Sequence, residues 1–430
     1  MSKTTILLAL TVLSGGLHAQ VPVPLSDETV QSATDVPDSP NPVIEWNKTL
    51  LTIVRTPGAQ PPTIHSTRNF AMLHVAMFDA VNDIAASFSP YLVRRSTEPR
   101  SASPVAAADQ AAHDVLLALY PDFQSMLDAQ LQEDLGQIAD GPEKTGGIAV
   151  GAAVASEVVA FRANDGSNIT PPPFKAGSAP GDYQLTPPNF APADFRQWPG
   201  LALFALARAD EFRLAPPPQL TSEEYVSVFN EVKSLGIAAS TTRTADQTVI
   251  GKFWNGNIQD FWNEIAQTAV AAHHLGLVHS ARLFAQLNIS LADTTISFFD
   301  AKYTYSFWRP VTAIRLAGED NDPRTQADPN WLPLSTKTAP DPSYPGAHSA
   351  ISFAGAEVLR AYFGDRFTFD VTSEALAGVT RHFTSFTAAA EEAGLSRIYA
   401  GQHFRTDHNA GKLLGQQVAE SVIDTMLLPR

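Results

Sequence analysis

The chain has 430 residues, of which 44% are hydrophobic and 17% charged, enough apolar material for a sizeable core and inconsistent with wholesale disorder. Its 29 Lys and Arg stand against 44 Asp and Glu, a formal net charge of -15, which argues against a general nucleic-acid or anionic-membrane binder and makes any cluster of cations stand out. Cysteine is absent, so disulfides, thiolate metal sites, cysteine nucleophiles and iron–sulfur clusters are excluded together.

Residues 1–19 read as an export signal. Lys3 supplies the positive start, Ile6 to Leu13 the apolar stretch and Gly15-Gly16-Leu17-His18-Ala19 the small-residue exit, with cleavage after Ala19. Removal takes away Lys3 and leaves 28 cations against 44 acids, or -16, in a protein expected to be periplasmic or secreted. No later run reaches the ~18 uninterrupted apolar residues of a membrane helix. The best, Gly146 to Phe161, is broken by Ser156 and Glu157, so no membrane partner is expected after signal cleavage.

Residues 20–42, rich in Pro, Ser and Asp, read as a flexible lead-in, and 43–164 as a first helical bundle. Ala71, Val75, Phe78 and Asn82 share one face of a helix that begins after Ser66. An Ala-rich helix from Val105 to Leu119 ends before Pro121, and Gly146 to Phe161 spaces small residues for close contact between helices. Residues 165–220, with Pro171-Pro172-Pro173, Pro187-Pro188 and Pro216-Pro217-Pro218, form a connector whose length implies a function or a join between helical units. Over 221–430 the spacing predicts helices at 221–235, 244–254, 258–275, 277–308, 347–363, 371–393 and 406–427, with almost no strand-type alternation. The expected fold is all-α, two packed helical bundles with the site in the second.

Three segments of that second bundle carry chemistry. In Lys302-Tyr303-Thr304-Tyr305-Ser306-Phe307-Trp308-Arg309-Pro310 the two cations are seven apart, two helical turns, so both can point one way beside water-excluding aromatics. Alone, such a pair is more often solvated. In Pro342-Ser343-Tyr344-Pro345-Gly346-Ala347-His348-Ser349 a Pro/Gly turn opens directly into a helix, whose first amides and dipole favour an anion, with His348 in the first turn. In Ser396-Arg397 through His403 to Asp407, the i, i+4 spacing lets a carboxylate hold one imidazole nitrogen and free the other, and Arg397 offers a planar fork to an oxyanion. Together they describe a buried oxyanion pocket.

The order of these motifs resembles the superfamily uniting vanadium-dependent haloperoxidases with type 2 phosphatidic acid phosphatases, whose pattern is K-x6-R-P, then P-S-G-H, then S-R-x5-H-x3-D. Here the blocks stand as Lys302 to Arg309-Pro310, Pro345-Gly346-Ala347-His348, and Ser396-Arg397 with His403 and Asp407. The flanking Phe307-Trp308 and Ser343-Tyr344-Pro345 are closer to the exported haloperoxidase branch. The resemblance implies a vanadate cofactor bound by His403, with Lys302, Arg309 and Arg397 on its oxygens and the Gly346 and Ala347 amides available to it. It implies His348 as acid–base, Asp407 as the group orienting His403, Lys302 polarising bound peroxide, and hydrogen peroxide and halide as substrates. Two positions depart from the pattern. Gly346 lacks the usual serine hydroxyl, a loss of roughly 1.5–3 kcal/mol if that bond is charge-assisted. Asp341, seven before the acid–base histidine, would repel a halide if unpaired. The alternatives are a soluble acid phosphatase working on a phosphate ester through a phosphohistidine at His403, and a non-catalytic oxyanion-binding protein.

Overall fold

The computed structural model describes residues 41–93 and 101–430. The expected export signal and the lead-in up to residue 40 lie outside the described residues.

The first bundle is built from α1 (Pro42–Arg55), α2 (Ser66–Ala85), α3 (Pro104–Leu119), α4 (Gln124–Gly136) and α5 (Pro142–Arg162). Their starts carry the expected chemistry. Asn41 caps α1 by accepting from the Val43 amide at 3.1 Å, and Ser103 caps α3 by accepting from Ala106 at 3.2 Å, each with proline at the first helical position. The small-residue pattern of α5 has a direct reason: a Cβ on Gly151 would lie 2.4 Å from the Ala107 carbonyl of α3. By length and composition alone α5 could also cross a bilayer, although Ser156 and Glu157 interrupt its apolar run, and it packs against α3 and α2 as a helix of the bundle does. The largely exposed α4 lies outside the predicted helices; its apolar residues are few and only Leu127 is buried.

The second bundle comprises α6 (Glu223–Leu235), α7 (Ala245–Phe253), α8 (Ile258–Ala272), α9 (Leu277–Tyr305), the short α10 (Pro310–Arg315), α11 (Ala347–Phe363), α12 (Phe386–Tyr399) and α13 (Arg405–Thr425). The central helix α9 is buried over almost its whole length and packs against α2 on one side and α11 and α13 on the other. One continuous apolar core therefore runs through both bundles, from Val43 to Leu427. A smaller cluster, including Tyr225, Phe229, Phe307, Trp308, Trp331, Ile398 and Phe404, packs beneath the site.

The helix expected over 371–393 is corrected. Arg366–Thr372 (β1) and Thr380–Ser385 (β2) form an antiparallel hairpin, pairing Phe369 with Phe383, and the helix starts only at Phe386. The run Arg-Phe-Thr-Phe-Asp-Val-Thr alternates with period two, and Gly378 turns the chain at φ 80°.

Residues 165–220 hold little regular structure beyond one turn of 3-10 helix at Trp198–Gly200. They are nonetheless bound tightly along the second bundle. The Tyr183 amide donates to Ser306 O at 2.7 Å, the Trp308 amide to Gly181 O at 2.9 Å and the Tyr344 hydroxyl to Ala215 O at 2.7 Å. Buried Asp293, in the middle of α9, accepts from the successive amides of Phe204, Ala205 and Leu206 at 2.7–2.8 Å.

Candidate active site

Lys302 and Arg309 do converge, but not along one helix face. The helix ends at Tyr305, because Ser306 turns left-handed at φ 44° while its amide caps Lys302 O at 2.8 Å. Phe307 then bridges to Asp182, and Pro310 holds Arg309 extended at ψ 154°. This break swings the Arg309 guanidinium back beside Lys302. Both side chains are fully buried. The Lys302 ammonium donates to the Pro342 and Ser343 carbonyls, the latter at 3.2 Å, and lies 3.4 Å from the Asp341 carboxylate. Arg309 donates from Nε to Asp341 O at 2.8 Å, from Nη1 to Gln402 O at 3.1 Å, and from Nη2 to the Asp341 carboxylate.

The loop 341–346 closes over these cations and enters α11. Close packing of α13 positions it: a Cβ on Gly411 would lie 2.3 Å from the Gly346 carbonyl. The Gly346 amide, expected to face an anion, donates instead to Asp407 O at 2.9 Å, because α11 is docked on the start of α13. A Cβ at Gly346 would sit 3.2 Å from that carbonyl, so a side chain here would crowd it. Ala347 and His348 form the first turn of α11, both partly exposed. His348 Nε2 is 2.9 Å from the Trp254 carbonyl. Burial, then the charge of Arg397, holds its imidazole well below the ordinary histidine range, although the Trp254 and Gly256 carbonyls favour the protonated form.

Arg397 comes from the last turn of α12. Its Nη1 donates to Asn255 Oδ1 at 3.1 Å, while its buried Nε has no protein partner. His403 and Asp407 are paired as expected, at 3.0 Å between Nδ1 and Oδ2, yet not as i, i+4 neighbours on a helix. His403 precedes α13, whereas Asp407 is in its first turn and also accepts from the Phe404 amide (3.1 Å) and the Ser343 hydroxyl (2.5 Å). The carboxylate is thus an N-terminal helix acceptor that reaches one residue further back.

The protonation pattern follows from these contacts. Burial raises the Asp407 carboxyl to about 6, against the pull of Ser343 and Phe404, and the carboxylate accepts a hydrogen bond from the Nδ1–H of His403. His403 Nε2 accepts from Arg309 Nη1 at 3.1 Å and so carries a lone pair. Burial and the three cations Arg309, Lys302 and Arg397 keep the ring neutral. Burial also lowers Lys302 to about 8 and Arg397 to about 10. Asp341, which the sequence reading expected to repel a halide only if unpaired, is paired with Lys302 and Arg309. Burial alone would raise its carboxyl, but those cations hold it below the usual range. Asp194, on the connector, is pushed up to about 8 by burial and by Asp341.

Three buried cations around a neutral imidazole nitrogen, with an unpartnered guanidinium N–H, suit a tetrahedral oxyanion rather than a cation. Among the described residues no group of three or more His, Asp or Glu could hold a metal cation. A cleft of about 460 Å³, lined by Arg55, Asp260, Phe261, Glu264 and Glu374, borders Asn255, the residue that holds Arg397. Asn255, Gln402 and the Trp254 carbonyl escaped the sequence reading, since neither an amide side chain nor a backbone oxygen has a motif of its own.

This is a helical-bundle protein with a buried cluster of cations and imidazoles between the last turns of α9 and α12 and the starts of α11 and α13. Residues 282–428 match the family model of the VCPO second helical-bundle domain. The chain is 25% identical to the vanadium chloroperoxidase of Curvularia inaequalis, over 92% of this chain and 83% of that one. It superposes on a bacterial vanadium-dependent iodoperoxidase with a TM-score of 0.76 and 23% identity, covering 92% of this chain and 99% of that one. The holo-type bacterial vanadium-dependent chloroperoxidase gives 0.67 and 16%, over 91% and 98%. The chain is thus similar to vanadium haloperoxidases: it has the same helical-bundle fold, and its residues 282–428 match the model of their second helical-bundle domain.

Proposed function

We propose that this protein is a haloperoxidase-type enzyme that holds vanadate on His403 Nε2 and oxidises a halide with hydrogen peroxide. The observation that carries the reading is the unprotonated Nε2 of His403 facing Arg309, with Lys302 and Arg397 beside it. Vanadate bound there supplies a Lewis-acidic centre that activates peroxide without changing its own oxidation state.

The chain's residues do the rest. Asp407 retains the Nδ1 proton of His403 and so keeps Nε2 a donor of electron density. Lys302, Arg309 and Arg397 offset the oxyanion's charge inside a site that excludes water, where each contact counts for more than at the surface. Lys302, with N–H groups on the Pro342 and Ser343 carbonyls, would polarise peroxide held at the site through its charge and through the N–H now directed at Asp341. His348, kept neutral by its surroundings, accepts the proton that peroxide or water must lose. Gly346 provides no hydroxyl, and its amide is already engaged, so charge holds the oxyanion more than hydrogen-bond count.

The test uses purified protein with and without orthovanadate. Peroxide-driven bromination or iodination of an indicator is assayed beside hydrolysis of p-nitrophenyl phosphate. Vanadate-dependent halogenation is expected. Hydrolysis inhibited by vanadate, without halogenation, would move the protein to the phosphatases with His403 as nucleophile. Silence in both would leave an oxyanion-binding protein.

A further inference from the structure

We propose that Asp341 is a built-in anion that occupies the oxyanion's place on Lys302 and Arg309, so that an incoming oxyanion binds by displacing the Asp341 carboxylate. This inference rests on the oxyanion reading of the site above. Asp341 is buried, and its carboxylate takes Arg309 Nη2 while lying 3.4 Å from Lys302 Nζ, two donors of the cluster that would otherwise point at a ligand. Arg397, the third cation, is not paired with it: its Nη1 is on Asn255 and its Nε is unpartnered. The cluster is thus divided into two occupied cations and one open one.

The division has a structural cause. Arg309 Nε holds the Asp341 carbonyl at 2.8 Å, and Lys302 holds the next two carbonyls, of Pro342 and Ser343. With its backbone clamped on the cations, Asp341 has its carboxylate delivered directly to them, and an incoming oxyanion has to move that side chain. An oxyanion must exchange for that carboxylate, because a carboxylate and an oxyanion oxygen compete for the same guanidinium N–H groups. The consequence is an affinity lowered by about one charge-assisted contact, roughly tenfold or more. In the empty site the same carboxylate stabilises the fold, since it stops two buried cations from facing each other unpaired.

The test is calorimetric titration with orthovanadate and, separately, inorganic phosphate. It compares wild type with Asp341→Asn, which keeps the shape, with Asp341→Ala, and with His403→Ala. Thermal melting is measured in oxyanion-free buffer and in phosphate. Both Asp341 variants are expected to bind each oxyanion about tenfold tighter or better. They are also expected to melt below wild type without oxyanion and to recover that loss when phosphate is added. Should the Ala variant fail to fold, the isosteric Asn variant carries the test. Affinity unchanged or weakened in the Asn variant, with binding still lost in His403→Ala, would overturn the role of Asp341 while leaving the oxyanion site intact. No binding of either oxyanion by wild type or by the Asp341 variants would overturn the site itself and this inference with it.

Discussion

Both histidines of the site are kept neutral first by burial and then by neighbouring cations, and their hydrogen-bond partners separate their roles. His403 is desolvated among Arg309, Lys302 and Arg397, and Asp407 accepts from its Nδ1–H, which leaves Nε2 as the free nitrogen. His348 is neutral because it is desolvated near Arg397, with the Trp254 carbonyl fixing its ring. His403→Ala should abolish both oxyanion binding and turnover, since it removes the only imidazole nitrogen that faces Arg309 among the described residues. His348→Ala should bind orthovanadate within a few-fold of wild type and lose turnover by about two orders of magnitude or more, the usual contribution of a general acid–base. Titration calorimetry and the halogenation assay on the same two preparations check both outcomes. Loss of binding in His348→Ala would reassign it as a ligand.

At the scale of elements, two buried carboxylates use one device. Asp79 of α2 accepts from the amides of Tyr91, Leu92 and Val93, and Asp293 of α9 from those of Phe204, Ala205 and Leu206. Each ties an irregular segment to the middle of a helix by satisfying three consecutive N–H groups that would otherwise be buried unpaired. For Asp293 the segment is the end of the proline-rich stretch, which also reaches Tyr305 and Tyr344 beside the site. Asp293→Ala should therefore cost about 3 kcal/mol or more, because each orphaned buried amide is worth roughly 1–3. Urea denaturation measures the loss. A midpoint unchanged from wild type would mean that those amides find other partners.

At the scale of the molecule, several acids inside the shared core bear on stability as pH changes. Asp109 of α3 is 2% exposed, accepts from Trp46 Nε1 at 3.0 Å, and is pushed up to about 7 by burial and by Asp134. Its folded affinity for the proton exceeds that of the unfolded chain. Its stabilising contribution is thus complete below about pH 4 and is lost as pH rises through about 7. Asp109→Asn, which is always neutral, should remove this pH dependence. Relative to wild type the variant should gain stability between pH 5 and 8, by an amount of order a few kcal/mol, since each tenfold change in proton affinity is about 1.4 kcal/mol. Melting curves of both proteins across that range test the sign; a difference that does not change with pH would show that Asp109 stays ionised in the fold.

The sequence by itself picked out the charged and histidine side chains that the fold brings together and the helices that carry most of that fold, since both are written in local spacing. The start of α11 at Ala347, the Ala-rich α3 and the blocks around Lys302, His348, Arg397, His403 and Asp407 are short-range patterns, and a helix needs only short-range information to be recognised. Tertiary structure decided how those blocks meet. The left-handed Ser306, not a shared helix face, brings Lys302 and Arg309 together; the docking of α11 on α13 diverts the Gly346 amide to Asp407; and the clamped 341–343 backbone delivers the Asp341 carboxylate to the cations. The last two were not legible in the sequence, because they depend on contacts between residues far apart along the chain; the first rests on a backbone turn at Ser306 that apolar spacing does not mark. Whether a buried charge is paired is settled only when those distant partners arrive.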